Sequence, residues 1–371
     1  MPHQVSAVDS ISPAFARTKQ ILFGPFRFGM WARLAVVALI TGEAGGGGGG
    51  GASLPNVNQN RGGNNHWSAM THFLQEPHWE QIRPYLFWIV LGALAVFGLM
   101  LLWIYCASVY RFIMLDSVIS GQCRLREGWR RWREAGQRYF LWVIGFGFSA
   151  MAIAGLIVGV PVLLAFRAGW FDKADQHVGA LIGGGILLAL VLLVFVAALA
   201  VIAVLARDFL VPVMAFENAS AVDGWRRLLP VVGAEKLAFT AYVLMKIVLA
   251  VGSAIIFAIV NLIVVLVLLI PLALVGVAGF FIGKAAGMTW DISAILLVTG
   301  LGMLALAGIL YVIGFVYAPG LVFFQSYALE FFAPRYGPLA NSMMPPTSPV
   351  TPLMEQIAPT EPSPPPEPSA A

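Results

Sequence analysis

The amino-acid sequence predicts an all-α integral membrane protein with about six transmembrane helices, paired as three hairpins and joined by amphipathic elbows on the cytoplasmic side. Three observations predict this. Of the 371 residues, 59% are apolar and only 11% charged, against about 25% charged in soluble domains. Several apolar runs exceed the roughly 18 residues that mark a spanning helix. An acidic residue followed by Gly-Trp-Arg-Arg also occurs twice, as Glu127-Gly128-Trp129-Arg130-Arg131 and Asp223-Gly224-Trp225-Arg226-Arg227, with the tryptophans 96 positions apart. A repeat at that spacing implies similar units of membrane hairpin plus elbow.

Residues 1–27 mix Arg17, Lys19 and Arg27 with Phe15, Ile21, Leu22, Phe23 and Phe26, which reads as a cytoplasmic amphipathic segment on a membrane surface. The transmembrane domain then occupies 28–340. Its first helix, 28–41, is short for a crossing, and its one charge, Arg33, can reach an interface. A Gly/Asn-rich outer loop follows over 43–66 and opens with seven glycines, 45–51. Without a Gly-Lys-Ser/Thr ending these glycines are not a phosphate loop. The second helix is read at 84–109, the third at 139–166 and the fourth at 179–206. Between 237 and 282 the chain is almost uninterruptedly apolar, too long for one crossing; it reads as one helix broken near Pro271 or as two. The last helix covers 292–317. The tail, 341–371, has ten prolines and three glutamates with no basic residue, the composition of a disordered segment.

Charge placement orients these helices. Segments 1–33, 111–138 and 207–237 hold fifteen Lys/Arg residues, while the loops between them on the other side hold five. The positive-inside rule therefore puts the N-terminus in the cytoplasm. Six helices bring the C-terminus back to that side; two crossings over 237–282 make seven and put it outside. Each return from the membrane leads into an aromatic, apolar elbow: 110–118, 209–216 and 317–332. The localisation read from this is the bacterial cytoplasmic membrane.

The second elbow, with Glu217 and then Asp223-Gly224-Trp225-Arg226-Arg227-Leu228, resembles that of a broad bacterial and archaeal membrane family. The family includes the membrane domain attached to some glycerophosphoryl diester phosphodiesterases. The opening Ser12-Pro13-Ala14-Phe15-Ala16-Arg17-Thr18-Lys19, with Pro25-Phe26 and Trp31, is similar to its stand-alone members, as is Phe323-Phe324-Gln325-Ser326-Tyr327-Ala328-Leu329. The chain departs from that pattern at Pro230 and lacks the catalytic domain, so the resemblance implies an architecture and supplies no catalytic residue.

Few residues carry candidate chemistry. Arg130, Arg131, Arg226 and Arg227 suit anionic lipid head groups or an acidic partner, and they equally suit plain topological anchoring. The acid before each Gly-Trp fits a helix N-terminus. Lys246 lies about 13 Å into the fifth helix, where an ionisable group is a site for transport or binding unless a carboxylate neutralises it. Glu217 and Asp116 are the expected partners. Asn261 is expected to make an interhelical hydrogen bond. His66, His72 and His78 with Glu76 and Glu80 do not align as metal ligands, because Pro77 interrupts the helix that would align them. Cys106 and Cys123 form no metal-binding or redox pair. No catalytic, cofactor or metal constellation is found. The sequence thus predicts a non-enzymatic structural, lipid-interacting or partner-binding protein, its partners being the bilayer, anionic head groups and another membrane protein, with no nucleic acid. A small transporter or channel between the repeated hairpins is the alternative.

Overall fold

The computed structural model of the protein describes residues 6–24, 27–42, 85–170, 177–285, 287 and 291–343. The glycine-rich loop, the histidine-containing outer segment and the proline-rich tail from 344 lie outside the described residues. Among the described residues the structure is helical, without strands. In chain order the helices are α1 (Ile11–Phe23), α2 (Phe28–Thr41), α3 (Leu86–Ser120), α4 (Leu125–Arg167) and α5 (Val178–Leu205). A π-helical turn, Ala206–Leu210, leads into α6 (Val211–Glu217). Then come α7 (Ala221–Ala234), α8 (Lys236–Ala285), α9 (Ile292–Phe332), a 3₁₀ turn at Ala333–Arg335 and α10 (Gly337–Met343).

Among the described residues, five stretches are long and apolar enough to cross a membrane: Leu86–Ser120, Leu125–Arg167, Val178–Glu217, Lys236–Ala285 and Ile292–Arg335. Phe28–Thr41 is apolar but shorter. The expected helix ends move outward, because the apolar elbows continue the helices instead of interrupting them. The 110–118 elbow is the last part of α3, and the 317–332 elbow is the last part of α9, passing through Pro319. The 237–282 run is one continuous helix that contains Pro271. At 1.5 Å per residue α8 is about 75 Å long, more than twice a hydrocarbon core of about 30 Å.

Among the described residues the helices pack mainly at one end, with Gly283 and Ala294 the buried residues at the other end of α8 and α9. Buried residues begin at Ser108 on α3 and end at Tyr139 on α4. On α8 they comprise Phe239, Tyr242, Val243 and Lys246, apart from the distal Gly283. α5 buries nothing until the π turn delivers Phe209 and Leu210. The most apolar stretch of each long helix has no buried residue. α1 and α2 complete the packed end: α1 buries Ala14, Thr18 and Leu22, and α2 lies between α9 and α3.

Both Gly-Trp-Arg-Arg segments have one structural explanation. Each lies in the first turns of a helix, α4 or α7, with Glu127 or Asp223 in the first turn, where a carboxylate meets free backbone N–H groups. Ser220 caps α7, its Oγ accepting from the Asp223 N–H while its hydroxyl donates to the Asp223 carboxylate. The glycine lets the new helix approach the preceding one. A Cβ on Gly128 would lie 3.0 Å from the Ile113 side chain, and one on Gly224 2.6 Å from Leu210. Eight residues after Gly128, a Cβ on Gly136 would lie 2.9 Å from the Val109 Cα, a backbone atom with nowhere to go. Trp129 then packs on Tyr105 and Tyr110, and Trp225 on Trp142.

Gly136→Ala is expected to destabilise the purified protein by about 1–3 kcal/mol through overpacking. Gly145→Ala, where nothing lies within 4 Å of the new methyl, is expected to be neutral or stabilising by up to about 1 kcal/mol. Thermal unfolding of the two variants side by side checks the contrast.

Candidate functional site

The charges nearest the middle of the apolar spans meet where α5 turns into α6. Residues 86–110, 139–166, 178–206 and 247–283 carry no charge at all. At their packed ends these stretches meet Arg111, Arg138, Arg207 and Lys246 respectively. The π turn holds one extra residue per turn, which re-aims its side chains relative to α5. It brings Asp208 onto α8.

There Lys246 Nζ donates to Asp208 Oδ2 at 2.5 Å, and the Tyr242 hydroxyl donates to the same oxygen at 2.8 Å. All three side chains are buried: Asp208 is 5% exposed, Lys246 4% and Tyr242 0%. Tyr242 stacks on Tyr327 of α9, whose hydroxyl donates to the Ala7 carbonyl at 3.0 Å. Phe209 lies against Phe239, Tyr242, Phe331 and Phe332. One ion pair thereby connects the π turn, α8, α9 and the N-terminal segment inside an aromatic packing.

The structure corrects the expected partners of Lys246. Asp116 faces Arg131 at 3.6 Å, and Glu217 pairs with Arg227 while accepting the Tyr336 hydroxyl at 2.7 Å. Arg226 pairs with Asp223 at 3.6 Å across one turn, and Arg130 is exposed. The candidate residues therefore do not form one site: Lys246 is buried, and the others sit around it on the basic end, each in a local pair or in the open. Exposed pairs such as Arg131–Asp116 are worth about 0–1 kcal/mol. Asp208, which completes the buried pair, has one sequence signal: it is an isolated acid between two apolar runs, Val178–Leu205 and Phe209–Phe216. Asn261 does not make the expected interhelical bond, for both polar atoms of its amide lack a partner among the described residues.

Beside the pair lies a partly open cavity of about 20 Å³, room for roughly one water molecule. Its polar wall is Arg111, Arg207, Lys246, Asp208, Gln325 and Thr41; Met114, Val211 and Phe324 form its apolar wall. Arg111 donates to the Tyr139 hydroxyl at 3.4 Å and lies over its ring. No carboxylate pairs with Arg111 among the described residues. In the connection between α3 and α4, Arg33 donates to the Cys123 carbonyl at 2.7 Å. Burial pushes the Cys123 thiol above its usual range, outweighing the opposing effects of Ser117 and Arg33.

A helical chain with five membrane-length apolar helices and a neutralised buried ion pair is the class that fold and site define. The chain belongs to a family of unknown function, DUF7544, whose model matches residues 5–340. No curated protein and no solved structure matches it. The match covers both Gly-Trp-Arg-Arg segments and the Asp208–Lys246 pair. It supplies no link to the membrane domain of glycerophosphoryl diester phosphodiesterases.

Lys246→Met leaves Asp208 buried without its cation and is expected to cost about 3–5 kcal/mol, whereas the double variant D208N/K246M recovers most of that. Chemical unfolding of wild type, single and double variants in detergent checks it. Cys123, buried and with its thiol held in the protonated form, is expected to react with a small maleimide at neutral pH far more slowly than a cysteine placed at exposed Arg130. As pH rises toward the raised thiol value the difference narrows, and stopped-flow labelling follows it.

Proposed function

We propose that this protein is a non-enzymatic, multi-pass protein of the bacterial cytoplasmic membrane with a structural, lipid-interacting or partner-binding role. The observation that carries the reading is the closure of the Asp208–Lys246–Tyr242 group. Lys246 is the residue on which a transport path would depend, and it is satisfied within the protein. The cavity beside it has the volume of about one water, far from the space a solute needs to pass. A charge neutralised in place and packed by aromatic rings supports a staple between helices.

In the proposed membrane arrangement, α2 is a sixth crossing. Packing of α2 on α3, α4 on α5 and α8 on α9 supports three hairpins. The basic residues at one end of the spans support a cytoplasmic N-terminus. A single continuous α8 favours six crossings over seven, with both termini in the cytoplasm. The likeness of the elbows to the phosphodiesterase-linked membrane domains belongs to this proposal as well. The transporter reading has one observation in its favour, the cavity that touches Lys246.

Reconstitution into proteoliposomes tests the choice. The expected outcome is that small ions and neutral solutes cross no faster than in protein-free vesicles, with or without Lys246→Met. Flux that the wild type supports and Lys246→Met abolishes, in a variant shown to be folded, would replace the structural reading by the transport one.

A further inference from the structure

We infer that the cavity at the packed end of the spans is a phosphoryl-binding site, which draws a phospholipid phosphate in beside Arg111, Arg207 and Lys246. The inference rests on the lipid-interacting reading above and names the place and the chemistry.

Asp208 Oδ2 already accepts from both Lys246 and Tyr242, so the carboxylate is engaged within the protein. Arg111 is only half-buried against a neutral phenol and pairs with no carboxylate among the described residues. A guanidinium carries five N–H donors and no acceptor; one bond of 3.4 Å to a phenol leaves most of that fork to be met by something else. Gln325, on the facing wall of the cavity, adds an amide. What remains to be met is therefore the Arg111 fork, which offers donors and positive charge. Their complement is an oxyanion with several oxygens, and arginine forks match phosphate oxygens bidentately.

The cavity, about 20 Å³, admits one or two oxygens and no whole solute. The group that enters is therefore the charged end of a molecule whose remainder stays outside. Arg111, Arg207 and Lys246 are the first charges met on leaving the uncharged stretches 86–110, 178–206 and 247–283. In a bilayer that is the level where hydrocarbon gives way to phosphate. The apolar wall of the cavity then offers a surface to the glycerol and the first acyl carbons.

A phospholipid and free phosphate share this phosphoryl chemistry, and the experiment separates them. Full-length protein in detergent, stripped of lipid, is titrated with phosphatidylglycerol, with diacylglycerol and with inorganic phosphate. Bound adducts are read by native mass spectrometry. The expected result is one retained phosphatidylglycerol, no comparable diacylglycerol adduct, and an affinity about ten-fold lower in Arg111→Gln that Arg111→Lys restores only in part, by charge without the fork. Binding of inorganic phosphate without the lipid supports the phosphoryl site with a soluble source. Equal retention of phosphatidylglycerol and diacylglycerol, or equal affinity in wild type and Arg111→Gln, overturns the proposal. Loss confined to the elbow variant R130Q/R131Q also overturns the cavity as the site, while leaving the lipid-interacting reading intact. Should Arg111→Gln fail to fold, Gln325→Leu on the facing wall is expected to weaken the lipid about five-fold, and an unchanged affinity there is equally fatal.

Discussion

The burial of Asp208 against Lys246 is the constraint around which the packed end of this protein is organised. Neither residue is tolerable alone among apolar helices, since an unpaired buried charge costs several kcal/mol. Their pairing fixes the rotation of the π turn relative to α8. Once that rotation is set, Phe209 is committed to the aromatic contacts with Phe239, Phe331 and Phe332. Tyr242, hydrogen-bonded to the same carboxylate oxygen, carries the constraint on to Tyr327 and from there to the Ala7 carbonyl. A pair of this kind adds little net stability compared with apolar residues in its place. What it specifies is which faces of α5, α8 and α9 meet.

The rest of the packed end follows a different rule, close approach of backbones. Gly128 and Gly224 occupy equivalent places in the two repeated segments, each against the last turns of the preceding apolar helix. At Gly314 the same device recurs between α9 and α2, where a Cβ would lie 2.8 Å from the Ala35 carbonyl oxygen. Small residues at helix crossings substitute for the hydrophobic drive that is absent between apolar helices in lipid. The exposed distal lengths of α3, α4, α5, α8 and α9 make few such contacts, and their apolar surfaces are compatible with a hydrocarbon surrounding.

Much of this was legible in the sequence. The apolar runs located the long helices, and the acid of each Gly-Trp-Arg-Arg segment marked a helix start that the structure places in α4 and α7. Lys246 stood out by depth alone. Its partner did not, because a partner is set by the rotation of a neighbouring helix, and the π turn that supplies it adds a residue without leaving a signature in hydropathy. Glu217 and Asp116 were plausible by distance along the chain, yet each has an arginine nearer to hand. Helix ends were misjudged for a related reason. Elbows rich in aromatic residues read as surface segments, but most of their residues are apolar and buried at the packed end, so α3 and α9 continue through them.

The sequence separation of the buried pair has a consequence for biosynthesis. Asp208 precedes Lys246 by 38 residues, so at about 5–20 residues per second the acid leaves the ribosome roughly 2–8 s before its cation. During that interval Asp208 lacks the lysine that it pairs with in the folded protein. It can settle only when α8 arrives, and the aromatic packing closes only when α9 follows. The order of translation thus makes the first two-thirds of the chain a dependent of the last third, and a truncation after α7 would leave a nascent intermediate that quality-control proteases are equipped to find.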